Sequence, residues 1–266
     1  MSMDAAKTSL RGKTVDVIGT PCLLTSYEHL FQDFHEWVAD ASRPTLSVDF
    51  TNVHITALRS LDAGFARATA SVDAFVPDGA VLTAAANRNG GVAVKEIYGP
   101  KFMADFLRDS GSRGTHYLLG ASRPVLAQLE ARIKELAPKI CIVGRHHGYL
   151  AEDGRDDAAI VDELNGKIPD FIWVGMGTPL QQAWISRNKP RISHGILMAV
   201  GFAFDVISGT KTDAPPWMHR LSLVWLFRLI QEPRRLGPRY LKYNTVFLWK
   251  WFRQRMAGTS SPISSS

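Results

Sequence analysis

The sequence predicts an α/β protein: a parallel sheet flanked by helices, followed by a helical, basic C-terminal appendage. Three observations carry that expectation. Short apolar runs alternate with longer amphipathic stretches through the first 212 residues, several of those runs end in glycine, and the texture turns aromatic and basic after Thr212. Strands of a few residues alternating with helices of ten or so build a parallel sheet with both faces covered.

The candidate strands are Val15–Ile18, Leu46–Phe50, Ala74–Val76, His116–Leu119, Ile140–Val143, Phe171–Val174 and Ile196–Val200. Between them Pro124–Leu136 places Val125, Leu126, Leu129 and Ile133 at helical spacing, and Ala158–Leu164 and Leu180–Arg187 behave likewise. Gly114–Gly201 is the clearest Rossmann-like stretch. Leu119, Val174 and Val200 each run into glycine (Gly120, Gly175, Gly201), and Val143 into Gly144. In open α/β sheets ligands bind beyond the carboxyl ends of the strands, where glycine lets backbone approach a ligand. Tight turns would use the same residues. Past Thr212, Met218–Gln231 is apolar with helical spacing, Glu232–Pro238 reads as a break, and Tyr240–Met256 interleaves rings with Lys and Arg. The division that follows is an α/β core over 1–212, a helical appendage over 213–257 and a Ser-rich, disordered tail over 258–266.

Composition narrows the function classes. Apolar residues make up 45% of the 266 and charged ones 21%, the balance of an ordinary globular protein. Apolar runs such as Gly195–Phe204 are shorter than the roughly 20 residues of a spanning helix. Met1–Thr14 lacks the apolar stretch of a secretory signal. Cys22 and Cys141 stand far apart with no metal-ligand spacing, which fits a reduced, cytoplasmic setting. The net charge of +6 is concentrated at the end: from Lys211 onward, ten Lys/Arg face only Asp213 and Glu232. A basic tail on a near-neutral body points to an anionic partner: a phosphate, a nucleic acid or an acidic lipid surface.

Four constellations offer chemistry. Val76–Ala80 places Asp78 at a strand end within Pro77-Asp78-Gly79, where a carboxylate can serve as general base; the same tripeptide makes a plain turn. Gly175–Trp184 reads as a strand ending in Gly175-x-Gly177, then Thr178 as N-cap and a helix from Pro179, whose free amides suit a phosphate. Gln181 and Gln182 would lie in its first turn. It is neither the dinucleotide fingerprint nor a P-loop. Val143–Tyr149 brackets Arg145, His146 and His147 with glycines. No third metal ligand stands nearby, so a loop touching the ligand, with Tyr149 in it, is the expected reading. Finally, Arg228, Arg234, Arg235 and Arg239 are spaced to converge on a diphosphate through guanidinium forks, or to form a solvated basic face.

Taken in order, these residues resemble the WecG/TagA/CpsF glycosyltransferases from about Val15 to Tyr240. The marks are Thr51-Asn52, Pro77-Asp78-Gly79, Tyr98-Gly99-Pro100, Gly144 with Gly148-Tyr149, Gly175 to Gln181, Val200-Gly201 with Phe204-Asp205 and Gly209, Ala214 to Trp217, Trp225 to Arg228, and Glu232 to Arg235 with Arg239-Tyr240. The resemblance implies an inverting, metal-independent enzyme without a cofactor. It would move a hexosyl unit (N-acetylmannosamine, glucose or glucuronic acid) from a UDP-sugar to a polyprenyl-diphosphate-linked sugar, in exopolysaccharide or cell-wall polymer synthesis. It makes Asp78 the base. Asn52 with Thr51, Gln181, Gly175, Gly177 and Tyr149 become substrate contacts. Arg228, Arg234, Arg235 and Arg239 would close over the donor diphosphate and help hold the enzyme peripherally on the inner face of an anionic membrane; homo-oligomerisation stays open.

The chain departs from the family pattern in four places. Phe50 stands where threonine is usual and Glu96 where arginine is usual, with Lys95 beside it as the substitute positive charge. Gln182 and Val224 replace glutamates. Two other classes compete. A non-catalytic membrane- or nucleic-acid-binding protein would use the basic aromatic tail alone, but the sheet body argues for a small-ligand enzyme, so no nucleic-acid partner is expected. A dinucleotide oxidoreductase would need Gly-x-Gly-x-x-Gly after the first strand, which is missing.

Overall fold

The computed structural model describes residues 10–151 and 154–258; the tail over 259–266 and the start of the chain lie outside the described residues. All seven expected strands form and an eighth joins them: β1 (Lys13–Val17), β2 (Thr20–Leu24), β3 (Leu46–Thr51), β4 (Ala74–Pro77), β5 (Thr115–Gly120), β6 (Cys141–His146), β7 (Phe171–Gly175) and β8 (Ile196–Ala199). They make one sheet in the order β1-β2-β4-β3-β8-β7-β5-β6. Only β1 and β2 pair antiparallel; the other pairings are parallel. The early strands β2, β4 and β3 fill one half and β6, β5, β7 and β8 the other. The halves meet where Leu46–Asp49 of β3 pairs with Ile196–Ala199 of β8.

Nine helices precede the C-terminal segment among the described residues: α1 (Tyr27–Ala39), α2 (Val53–Leu61), α3 (Ala63–Ala68), α4 (Ala80–Gly90), α5 (Gly99–Ser110), α6 (Arg123–Leu136), α7 (Asp157–Lys167), α8 (Leu180–Asn188) and α9 (Ala203–Ile207). Then come α10 (Pro216–Arg220), α11 (Val224–Gln231) and α12 (Pro233–Met256). Strand alternation divides the core between the two faces. Val48, Phe50, Phe171, Trp173 and Met198 point to the side of α1, α5 and α6, where Phe34, Phe102, Phe106 and Leu129 cover them. Ile172, Val174 and Leu197 point the other way, onto Ile160, Leu164 and Trp184 of α7 and α8. In α1, Leu30, Phe34 and Trp37 recur at helical spacing after the Ser26 cap, which is why that stretch is a buried-face helix.

Three elements differ from the sequence expectation. First, β2 was not expected. Ile18-Gly19 is a two-residue hairpin loop with positive φ at both positions, 45° and 83°, the geometry of a type I′ turn that usually announces itself as Asn-Gly. Ile18 tolerates it because its side chain packs on the neighbouring core and its N–H donates to Gln254 Oε1 at 3.0 Å. Second, Thr178 does not cap α8: the helix starts at Leu180 after a cis Thr178-Pro179 bond. Third, the break expected over Glu232–Pro238 is confined to Glu232, which separates α11 from α12. Pro233 occupies the first helical position, where its missing N–H costs nothing, and the helix continues through Pro238.

Docking accounts for that continuity. α12 lies on α2 and α4, with Phe247 buried among Val15, Val17, Leu24, Ala57, Leu82 and Ala85. Trp251 Nε1 donates to Asn89 Oδ1 at 3.2 Å, Gln254 Nε2 to Asp16 Oδ2 at 2.6 Å, and Lys250 to the Ser60 carbonyl. Phe247→Ala should therefore cost about 3–5 kcal/mol in chemical denaturation of the whole chain. A loss under about 1 kcal/mol would mean that α12 is not part of the folded body.

Candidate active site

The strand ends at the meeting of the two half-sheets form the floor of the site. At the end of β3, Thr51 is buried and donates its hydroxyl to Asp49. Next to it Asn52 caps α2: its Oδ1 accepts from the N–H groups of His54 at 3.0 Å and Ile55 at 3.3 Å. At the end of β4, the Asp78 N–H donates to the Thr51 carbonyl at 2.6 Å, which ties the two strand ends together. Gly79 follows with φ 93°, turning the chain into α4.

The Asp78 carboxyl packs against the start of α5. A Cβ on Gly99 would stand 3.4 Å from Asp78 Oδ2, so the glycine of Tyr98-Gly99-Pro100 lies against the carboxylate. Burial pushes the Asp78 pKa up to about 7; Arg228 opposes the rise, Glu96 adds to it, and the Gly99 amide opposes it. The floor beneath holds a second carboxyl, Asp49, also raised by burial. Gln182 Nε2 donates to Asp49 Oδ2 at 2.8 Å, while Gln182 Oε1 is buried without a partner.

Across the sheet, glycines bring three loops into contact. A Cβ on Gly120 would meet the Gly175 carbonyl oxygen at 2.4 Å, one on Gly148 the Gly120 Cα at 2.8 Å, and one on Gly175 the Phe204 ring at 2.6 Å. Only glycine fits at these positions. Gly177, with φ 79°, donates its N–H to Gln181 Oε1 at 3.1 Å.

The C-terminal segment then closes over this floor. Tyr98 donates to Asp213 Oδ1 at 2.7 Å, and His219 Nε2 lies 3.3 Å from Asp213 Oδ2, with the His219 ring 5.0 Å from that of Tyr98. This clip holds the segment where it leaves the body. Arg228 lies over the Phe202 ring at 3.8 Å, and its charge opposes the rise that burial imposes on the pKa values of Asp78 and Tyr98. Lys211 and Arg235 both pair with Glu232. Arg239 is half-buried, its Nε without a partner, and its pKa is lowered by burial and by Arg228 and Arg235. It also helps hold His54 down to about 4, after burial. Two neighbouring guanidiniums, one with a buried free donor, suit a multiply charged anion.

The model of the glycosyl transferase WecG/TagA/CpsF family matches residues 15–261. The chain belongs to that family. It is a glycosyltransferase. Relatives from Staphylococcus aureus strains MW2, NCTC 8325 and MRSA252 are 25% identical over 237 residues, covering 89% of this chain and 91% of theirs. Each is named an N-acetylglucosaminyldiphosphoundecaprenol N-acetyl-beta-D-mannosaminyltransferase.

Within this WecG/TagA/CpsF enzyme the expected residues are distributed unevenly. Thr51, Asn52, Asp78, Arg228 and Arg239 gather at the ends of β3 and β4. Gly175, Gly177 and Gln181 follow β7; Gln181 is buried against Gly177 and Gly201. Tyr149 is 75% exposed beyond the edge strand β6. Arg234 is exposed, and Lys95 lies beside Pro77 and Thr83 on the opposite flank of α4 from Val81. Sequence reasoning did not single out Asp49, Phe202, Asp213 or His219 as site residues. Asp49 carried no signal because it alternates with apolar residues in β3 as a solvent-facing strand position would; Asp213 lies in an ordinary loop and His219 in the short helix α10. Tyr98 and Glu96 stood in or beside a recognised motif without a role.

With Asn52 Oδ1 committed to the cap, its amide nitrogen is the group left for a ligand. Aspartate caps a helix as well as asparagine. Asn52→Asp should change thermal stability by less than about 0.5 kcal/mol yet weaken donor binding measured by calorimetry. Unchanged donor affinity would leave Asn52 as a cap alone.

Proposed function

We propose that this chain transfers a hexosyl unit from a UDP-sugar to a polyprenyl-diphosphate-linked sugar, with inversion and without a divalent metal, with Asp78 as general base. The observation that carries the reading is a carboxyl lifted to about 7 at the rim of the half-sheet junction, with Arg228 beside it. A base is most useful when its pKa lies near the working pH. The names of the Staphylococcus aureus relatives support N-acetylmannosamine as the sugar and an N-acetylglucosaminyl-diphosphate lipid as acceptor.

In this reading Asp78 takes the proton from the acceptor hydroxyl as its oxygen attacks the anomeric carbon. The bond from that carbon to the diphosphate oxygen breaks, and UDP leaves. Arg228 and Arg239, with Arg234 and Arg235 nearby in sequence, balance the charge developing on the diphosphate. The glycine loops after β5, β6 and β7 take the nucleotide. Among the described residues no helix is long and apolar enough to cross a membrane, and no group of three or more His, Cys, Asp or Glu could hold a metal ion. Peripheral attachment to an anionic membrane, at its cytoplasmic face, falls to α12. It exposes Leu248, Trp249 and Phe252, and Arg253 lies over the Trp249 ring at 4.7 Å.

The pH dependence follows from the raised carboxyl. Asp78 is active when deprotonated, so kcat/KM should rise with pH up to about 7 and level above it. Asp78→Asn should cut turnover by ~10²–10⁴ and abolish that rise, with donor affinity kept. A variant retaining more than about half the wild-type turnover would remove Asp78 from the base role.

A further inference from the structure

A groove of about 810 Å³ runs along the outer face of α4. Val81 and Ala84 of α4 form its floor, Val92 one wall, and Phe247, Leu248 and Trp251 of α12 the other. The walls are fixed. Asn87 Nδ2 donates to the Val94 carbonyl at 2.8 Å, and the Val94 N–H donates back to Asn87 Oδ1 at 3.2 Å, which holds the loop after α4. Trp251 donates to Asn89 at 3.2 Å, which holds α12. Val81, Val92 and Leu248 are nevertheless exposed. An apolar channel open to solvent between anchored walls is unusual on a protein surface without a partner for it.

We propose that this groove receives the first isoprenoid units of the lipid-linked acceptor, a proposal that rests on the reading of Asp78 as the acceptor's base. Three observations select that occupant. Position comes first: α4 begins two residues after Asp78, so Val81 lies in the first turn beyond the candidate base, and the floor from Val81 to Arg88 runs about 10 Å away from it. A ligand with a hydroxyl at Asp78 and an apolar tail can occupy both places. Charge comes second. The lining holds no carboxylate, and its one charged member is Arg88, at the end of the floor away from Asp78. A lining without a carboxylate takes an apolar chain and does not repel the diphosphate at its head. Continuity comes third: Leu248 belongs both to the groove and to the exposed apolar surface of α12 with Trp249 and Phe252, so the chain passes from the groove to a lipid surface without crossing a polar belt. α12 thus does more than anchor the enzyme. It forms one side of the acceptor's path.

The test is Ala84→Trp, which fills the floor at an exposed position. Transfer is compared for an undecaprenyl-diphosphate acceptor and for one whose alkyl chain is too short to enter the groove. The variant should lower kcat/KM about tenfold or more for the long chain and leave the short one within about twofold. Equal effects on both, or none on either, overturn the proposal. So does loss of sedimentation with anionic vesicles in parallel with loss of transfer, which would make the groove a membrane face, or a change of oligomeric state in light scattering, which would make it a subunit contact. If the wild type transfers to neither acceptor from any UDP-sugar, the functional reading fails, and the groove is judged by binding alone. A benzophenone-bearing polyprenyl diphosphate should then label α4 and α12, with labelling competed by undecaprenyl diphosphate and reduced in Ala84→Trp. Labelling elsewhere overturns the proposal.

Discussion

The structure depends on holding an acidic side chain out of water at the junction of two half-sheets. Asp78 is fixed from below by its own amide on the Thr51 carbonyl and from the side by the start of α5. Burying a carboxylate is costly unless a cation or N–H donors face it. Here the amide comes from Gly99 and the cation from Arg228, which arrives from the far end of the chain. Burial outweighs both, so the carboxyl is poised near neutrality instead of being an ordinary surface acid.

Arg228 needs support of its own, because it sits on a short helix with no buried residue. Its support comes from both sides. Upstream, the Tyr98–Asp213–His219 clip ties the segment to the same turn that carries Gly99. Downstream, Glu232 gathers Lys211 and Arg235, and α12 inserts Phe247 into the core beneath β1 and β2. The C-terminal segment is therefore coupled mechanically to the floor of the candidate site. The hairpin of β1 and β2 gains its purpose from the same contact, since Gln254 bonds both Ile18 and Asp16 at its tip.

Much of this was legible in the sequence where one local rule sufficed. Strands buried on both faces, such as β7 and β8, read as continuous apolar runs, and the Pro77-Asp78-Gly79 strand end placed the candidate base. The hairpin strand β2 was hidden because its turn is Ile18-Gly19 and Pro21 interrupts its pattern. The first turn of α8 was legible as a helix start, but not the inward course of Gln181 and Gln182, because adjacent glutamines read as exposed. The arginines of the tail read as one cluster; the fold separates them into Arg228 and Arg239 near the floor, Arg235 on Glu232 and Arg234 at the surface. Long-range partners such as Tyr98 with Asp213 leave no periodic trace in a single chain.

The coupling of Arg228 to Asp78 is the central claim, and it is measured most directly by titrating the Asp78 carboxyl itself. Carboxyl-carbon NMR of selectively labelled protein, with Asp78→Asn to assign the signal, gives its pKa in the wild type and in Arg228→Gln. The account predicts titration near 7 in the wild type and a further rise when the guanidinium is removed, because Arg228 holds the value down. A carboxyl that titrates in the ordinary aspartate range and ignores the substitution would contradict it.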